Sequence, residues 1–162
     1  MPYLLRVFVL LAACAALVPA QEKYKGPRPP KPDIPYLVHA DNLIETEVTQ
    51  AREEKRKEAV AYIVEGAASP ARTPVAEPFF LLEADQLAPE KFELYRMTVK
   101  DGRREVVISP KPKESARPLR LSVTRLDERL FRIEVNEGLG LENGEYSLTP
   151  QGSNQVFCFS EY

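Results

Sequence analysis

The feature that most constrains this chain is a series of short extended runs separated by turn-forming residues. Phe92–Lys100 is rich in aromatic and β-branched residues, Asp101-Gly102 follows it, and residues 103–109 form a second run of the same kind. Asp-Gly between two such runs is the strongest local signal for a β-hairpin, because a type I′ turn requires positive φ at both central positions. The sequence therefore predicts an antiparallel hairpin at this point.

Further runs towards the C-terminus have the same character. Two of them alternate between apolar and polar residues, and their apolar members are Leu119, Leu121, Val123, Phe131, Ile133 and Val135. Because alternate residues of a strand point to one face of a sheet, we expect these six side chains to share one buried side. Residues 156–160 (VFCFS) are apolar on both faces, which is typical of a central strand.

Residues 41–66 are ambiguous. Residues 50–58 (QAREEKRKE) are good helix formers but have no apolar stripe with helical spacing, so a helix here could not bury a face. We predict two strands, near 44–48 and 60–64, joined by a charged tip at 52–57. A short helix near 50–58 is the alternative.

Proline spacing constrains the next segment. Pro70, Pro74 and Pro78 recur at every fourth residue, which excludes a helix and predicts an extended crossing segment. Residues 36–43 and 80–87 share an aliphatic run followed by A-D-x-L, at an offset of 44 residues. Two similar strands in related positions would follow if this internal echo reflects a duplication.

Together these patterns predict an all-β fold, a single antiparallel β-sandwich of roughly eight to ten strands. It would occupy residues 36–162 as one domain. An α+β fold with the short helix near 50–58 is the alternative, and two β subdomains would follow from a true duplication.

The N-terminus predicts export. Residues 1–20 combine Arg6, an apolar stretch over 7–18 and small residues before Gln21, as in a secretory signal peptide. The mature chain would be periplasmic or extracellular, with no transmembrane span. A lipid anchor on Cys14 is the weaker alternative, since the chain stays apolar after that residue. Residues 21–35 carry five prolines between Pro27 and Pro35 and are predicted to be a Pro-rich linker.

Few residues could carry chemistry. The chain has one His, His39, and one Cys outside the N-terminal segment, Cys158, and no zinc, phosphate-loop or Ser-nucleophile motif. His39 follows an apolar run, and Cys158 in VFCF is expected to be a buried, inert thiol. We therefore predict no catalytic residue, no metal site and no cofactor. A hydrolase using two carboxylates is the enzyme hypothesis that remains.

Basic residues are concentrated in the middle of the chain. Residues 96–132 contain 11 basic and 5 acidic side chains, whereas residues 36–95 contain 6 basic and 12 acidic ones. A candidate anion-contact patch consists of Arg103, Arg104, Lys111, Lys113, Arg117 and Arg120. The alternative is that basic strands pair laterally with acidic ones. No aromatic residues interleave with these cations, which argues against nucleic acid as a partner.

The C-terminal sequence GEYSLTP, followed by VFCF, is similar to the ending of a set of exported bacterial proteins of unknown function. Residues 36–43 and 118–135 also resemble members of that set. The resemblance implies bacterial export and a β domain, and it implies no activity. Three functional hypotheses remain: an exported binding or adaptor module for a protein or envelope component, a structural envelope component that assembles through a β edge, and a small carboxylate hydrolase.

Overall fold

The computed structural model describes residues 23–162, and the regular structure within them is almost entirely β-strand. The strands are β1 (Tyr36–His39), β2 (Asn42–Glu45), β3 (Glu47–Gln50), β4 (Arg52–Arg56), β5 (Ala59–Glu65), β6 (Arg72–Thr73), β7 (Phe79–Glu83), β8 (Phe92–Lys100), β9 (Arg103–Ile108), β10 (Leu121–Arg125), β11 (Leu130–Val135), β12 (Gly144–Pro150) and β13 (Gln155–Glu161), with one 3-10 turn at Pro89–Lys91. The all-β prediction is confirmed. The strands outnumber the prediction because several have only two to five residues.

The strands form two sheets. The smaller sheet has the order β10-β11-β7-β1-β2, and the larger has the order β3-β13-β12-β8-β9-β5-β4, with β6 added to β13. Neighbouring strands are antiparallel except for the two-residue β6, which runs parallel to β13. The sandwich prediction is therefore confirmed, with curled sheets.

The main core lies between the two sheets. The smaller sheet contributes Phe80 and Leu82 of β7, and the larger contributes Leu148, Phe157 and Phe159, all of them fully buried. The rings of Phe80 and Phe159 meet edge to face with centroids 5.3 Å apart, a geometry that the quadrupoles of the two rings favour. Apolar burial across this contact holds the sheets together.

The larger sheet curls until its two edges meet. Its first strand in spatial order, β3, and its last, β4, are consecutive in the chain and are separated only by Ala51. The continuous segment β3–Ala51–β4 thus pairs with β13 through β3 and with β5 through β4. We refer to this part of the molecule as the curled sheet. It has an outer face, part of which packs on the smaller sheet, and an inner face of its own.

The hairpin predicted around Asp101-Gly102 is confirmed. β8 and β9 pair from Lys100↔Arg103 onwards, and the φ angles of Asp101 and Gly102 are 51° and 74°. Both turn residues therefore occupy the left-handed region that a type I′ turn requires.

The prediction that β13 is a central strand is also confirmed. Phe157 and Phe159 point into the core between the sheets, whereas Val156 and Cys158 point into the inner face of the curled sheet. β13 is apolar on both faces because it separates two cores.

The predicted side-chain phase of β10 and β11 is correct in part. Leu121 lies opposite Val135, and Val123 lies opposite Ile133, as expected. Phe131 is only half-buried, and Leu119 lies outside β10 in an isolated bridge to Leu94. Leu130 instead is fully buried, in a separate cluster with Val38 and Leu81.

The expectation for residues 50–58 was wrong. The charged residues predicted to form a tip, and alternatively a helix, are β4, which pairs with β5 along its length. The turn lies at Lys57-Glu58, where Lys57 has a φ of 44°. The outward-facing side chains explain why such a polar strand is stable, since Arg56 is bonded to both Glu54 and Glu105.

The extended crossing segment predicted from the proline spacing is confirmed. Residues 70–78 contain β6 and no helix, and they lead from β5 in the larger sheet to β7 in the smaller one. The two copies of the internal echo lie on neighbouring strands, since β1 pairs with β7. Their turns differ: β1 continues through Ala40, at a φ of 54°, into a hairpin with β2, whereas β7 leads into a longer loop.

The described part of the Pro-rich segment contacts the domain at residues that include Asp33 and Arg28. Asp33 accepts backbone N–H bonds from Asp85, Gln86 and Leu87 at 2.9–3.1 Å. Arg28 forms ion pairs with Glu83 and Asp127, since its guanidinium reaches both carboxylates. The predicted signal peptide and Cys14 lie outside the described residues. Among residues 23–162, no helix is long and apolar enough to cross a membrane.

Candidate functional site

The inner face of the curled sheet encloses a cavity of about 260 Å³, which we call the curl cavity. Alternate residues of β5, β8, β9 and β13 point into it because the side-chain period of a strand is two. Its apolar wall consists of Val64, Met97, Val106, Ile108 and Val156. An apolar cavity of about 150 Å³ accommodates benzene, so this one has room for a ring with a short substituent.

Arg104 closes one end of the curled sheet. The side chains of Arg104, Val106 and Ile108 on β9 all face inward. Val106 and Ile108 line the cavity but Arg104 does not, so Arg104 lies beyond the inner end of the cavity. The guanidinium is 1% exposed. Two of its nitrogens bind the Glu47 carboxylate at 2.6 and 2.9 Å, and it donates to the carbonyl oxygens of Gly66 and Glu65 at 2.9 and 3.0 Å.

A second carboxylate completes this closed end. Glu145 of β12 is buried, lies 3.8 Å from Arg104 and accepts hydrogen bonds from the Ser69 backbone N–H and the Ser160 hydroxyl, at 2.8 and 2.5 Å. Burial by itself would lower the pKa of the Arg104 guanidinium, but the hydrogen bonds to Glu47 outweigh it, so that pKa lies above its ordinary value. We call Arg104, Glu47, Glu145, Ser69 and Ser160 the ionic plug.

The open end of the curl cavity is polar. The turn between β12 and β13 borders it through Gly152, Ser153 and Asn154. Asn154 donates from its side-chain amide to Glu53 of β4 at 3.0 Å, and the Ala51 backbone N–H donates to the Asn154 carbonyl at 2.8 Å. These bonds hold the turn to the segment where β3 passes into β4, so the rim of the opening is fixed.

Two tyrosines and a second glutamate line the same end. Tyr62 of β5 and Tyr95 of β8 border the cavity, and the Tyr95 hydroxyl donates to Glu93 Oε2 at 2.8 Å. Partial burial, together with the Glu93 carboxylate, raises the pKa of Tyr95 to about 12. Tyr95 therefore remains a neutral hydrogen-bond donor at physiological pH.

The anion-contact patch proposed from the sequence needs a correction at Arg104, which is buried in the ionic plug and reaches no surface. Three other members lie near carboxylates: Arg103 is 4.0 Å from Glu54, Lys111 is 2.8 Å from Glu58, and Arg120 is 3.7 Å from Glu137. This matches the lateral charge pairing that was the alternative.

Lys113 and Arg117 are the patch members that have no carboxylate within 4.0 Å among residues 23–162. Both are exposed, and both border a polar groove beside β8 and β9, which Glu105 and Glu114 also line. Arg96 is a third cation of this groove, and two carboxylates share it, so anion contact at Lys113 and Arg117 stays a prediction.

The other two candidate residues considered from the sequence, Cys158 and His39, do not line the curl cavity. Cys158 is fully buried, as predicted, and burial raises the pKa of its thiol to about 12. His39 is exposed at the end of β1, outside the cavity. In the described part of the chain, no group of three or more His, Cys, Asp or Glu side chains could hold a metal ion.

The two carboxylates at the cavity bear on the hydrolase hypothesis. A glycosidase pair needs one acid in an environment that keeps it protonated, usually a buried one. Glu53 is exposed, and Glu93 is half-buried with a hydrogen bond from Tyr95. Neither carboxylate is buried, so the geometry favours binding over this chemistry.

Sequence reasoning missed the curl cavity because it treated β4 as a loop. The signal that could have found it is the pair of inward faces on β13 and β8: Val156 and Cys158 on one strand, and Tyr95 and Met97 on the other. A strand that is apolar on the side away from the main core needs a second core. Comparisons of this chain with models of protein families, with curated proteins and with solved structures find no match.

Proposed function

We propose that this protein is an exported binding module that encloses a small, largely apolar molecule in the curl cavity. The observation that carries the proposal is the cavity itself: about 260 Å³, apolar along its wall, closed by the ionic plug and open at a polar rim. A pocket with an apolar wall and a few convergent polar groups is the usual form of a small-molecule site. The proposal needs no catalytic residue.

The rigidity of the site supports binding. Backbone pairing runs around the curled sheet, so the wall exists before a ligand arrives. Because a preformed site has little conformational entropy to lose, more of the contact energy appears as affinity. The turn at Gly152–Asn154 is the segment at which a ligand would enter.

Occupancy of the cavity can be tested with 2-phenylethanol, a neutral molecule with one ring and a short polar chain. We expect it to raise the melting temperature in proportion to the logarithm of its concentration, since a ligand that binds only the native state stabilises it. Ala51→Leu adds three carbon atoms to a side chain that lines the cavity and should remove the effect.

The matched control is Ala67→Leu, which makes the same change at an exposed turn outside the cavity. This variant should keep the full response to 2-phenylethanol. An equal response in Ala51→Leu and the unaltered protein would contradict binding in the curl cavity, and so would the absence of any response in the unaltered protein.

Export rests on the signal-peptide pattern of residues 1–20. We expect Gln21 to be the first residue of the mature protein when its N-terminus is sequenced. An acylated Cys14 at the mature N-terminus would overturn this cleavage and make the protein a lipoprotein.

Assembly through a β edge is a second candidate, since β10 and β2 are the edge strands of the smaller sheet. An exposed edge offers unpaired backbone groups to another chain. Sedimentation of the purified protein over a range of concentrations tests this: self-association that Val123→Pro in β10 abolishes would support it. A monomer at every concentration would contradict self-assembly.

A further inference from the structure

We infer that the curl cavity selects an organic cation: a protonated amine attached to an apolar, ring-sized group. This inference rests on the proposed function and adds the class of ligand. Of the described residues that line the cavity, two are carboxylates, Glu53 and Glu93, and none is Lys, Arg or His. A ligand whose buried part is apolar and whose charged end is positive would meet complementary groups along its whole length.

The first argument is the position of the charges. Glu53 is on β4 and Glu93 is near the start of β8, so the two carboxylates approach the opening from separate strands of the curled sheet. Both are held by a neutral donor, Asn154 for Glu53 and Tyr95 for Glu93. Neither forms an ion pair within 4.0 Å in the part of the chain that the structure describes, which leaves their charges uncompensated.

The uncompensated charge at the cavity contrasts with that of carboxylates on the outer face nearby. On the outer face of the curled sheet, Glu54 of β4 and Glu105 of β9 are both paired with Arg56, at 2.7 Å each. These two outer carboxylates are neutralised by one arginine, whereas Glu53 and Glu93 at the cavity have no cation within 4.0 Å among residues 23–162.

The second argument is the pair of aromatic rings. Tyr62 and Tyr95 line the cavity together with the two carboxylates. The faces of aromatic rings attract cations, and this attraction grows when the cation is shielded from water. Because the pKa of Tyr95 is raised to about 12, its ring stays a neutral phenol and its hydroxyl remains a donor to Glu93.

The third argument is the apolar wall behind this polar end. Val64, Val106 and Ile108 offer a ligand no hydrogen-bonding side chain, and Ser147 and Thr149 of β12 add hydroxyls but no charge. An ion that entered deeply would therefore lose most of its hydration without an opposite charge in its place. The charged group must therefore stay near the opening while the ring enters. A bare metal ion or a fully polar amine would gain nothing from the wall.

Three molecules of nearly equal shape separate these effects: 2-phenylethylamine, which is cationic at neutral pH, neutral 2-phenylethanol and anionic phenylacetate. We expect the amine to bind about tenfold more tightly than the alcohol, because a partly desolvated cation–π contact and a charge-assisted hydrogen bond are added. Phenylacetate should bind more weakly than the alcohol. Dissociation constants can be obtained by following backbone amide shifts during titration.

Glu93→Gln keeps an acceptor for the Tyr95 hydroxyl and removes the charge, so the ratio of amine to alcohol affinity should fall towards one. Glu90→Gln removes the same charge from an exposed residue outside the cavity and should leave that ratio unchanged. Equal affinity of the amine and the alcohol would overturn the cation inference and leave the proposed function standing. Failure of all three molecules to bind would contradict both the cation inference and the proposed function. An equal fall of the affinity ratio in Glu93→Gln and Glu90→Gln would contradict the cation inference, because the preference would then come from net charge alone.

Discussion

Removing the Arg104 guanidinium should destabilise the protein more than removing any exposed arginine. Arg104→Met keeps an unbranched side chain of similar length and removes four hydrogen bonds, two to Glu47 and two to backbone carbonyls. The Glu47 and Glu145 side chains are only 21% and 10% exposed, so they cannot recover full hydration. Breaking a buried ion pair by removing one partner costs about 3–5 kcal/mol, and we expect a loss in this range.

The matched control is Arg96→Met. Arg96 also pairs with a glutamate, Glu142, but the two side chains are 50% and 78% exposed. Exposed pairs of this kind contribute about 0–1 kcal/mol, because solvent screens them. The same substitution therefore separates the effect of burial from that of losing a positive charge.

The assay is urea unfolding followed by circular dichroism, with the free energy of unfolding taken from linear extrapolation. Replacing Glu47 as well, in Arg104→Met/Glu47→Met, should recover part of the loss because the unpaired carboxylate is removed. A loss under about 1 kcal/mol for Arg104→Met alone, with an unchanged denaturant slope, would refute the reasoning.

Three further predictions follow from burial and charge. The Cys158 thiol should react with an aromatic disulfide reagent only at the rate of unfolding, and rapid labelling of the native protein would contradict its burial. In urea unfolding, Leu130→Ala should cost about 2–5 kcal/mol and Phe131→Ala clearly less, because only Leu130 is fully buried. Partial burial would raise the pKa of Asp33, but three backbone N–H bonds outweigh it and lower that pKa. The stabilisation from the Asp33 hydrogen bonds is therefore fully present above the unfolded-state pKa of this carboxyl and is lost as the pH falls through its folded-state pKa. The amide shift of Gln86 should report this transition in the unaltered protein but not in Asp33→Asn.

The parts of this fold that the sequence predicted are those governed by neighbouring residues. The turn at Asp101-Gly102 follows from the φ angles that a type I′ turn needs, and the two apolar faces of β13 follow from alternation alone. Both signals lie within a few residues, so no knowledge of distant segments was required.

The parts that were missed depend on distant partners. β4 is charged on both faces; its backbone pairs with β5, but its polar outer face is accommodated by Glu105, which is 49 residues from Arg56. Arg104 resembles its half-buried neighbour Arg103 in sequence, but it is fully buried because Glu47 and Glu145 come to the same place on other strands. The inward apolar faces of β8 and β13 indicate a second core, but the curl cavity itself exists only when the edges of the larger sheet meet at Ala51.

The most direct test of the account is the methyl resonance of Met97. This residue is the only methionine after Met1, and its side chain lies in the wall of the curl cavity. In protein labelled with ¹³C at the methionine methyl groups, titration with 2-phenylethylamine should shift this resonance to saturation, because a ring in the cavity lies against it. A Met97 resonance that stays in place while amides elsewhere shift to saturation would contradict the account, since binding would then occur outside the curled sheet.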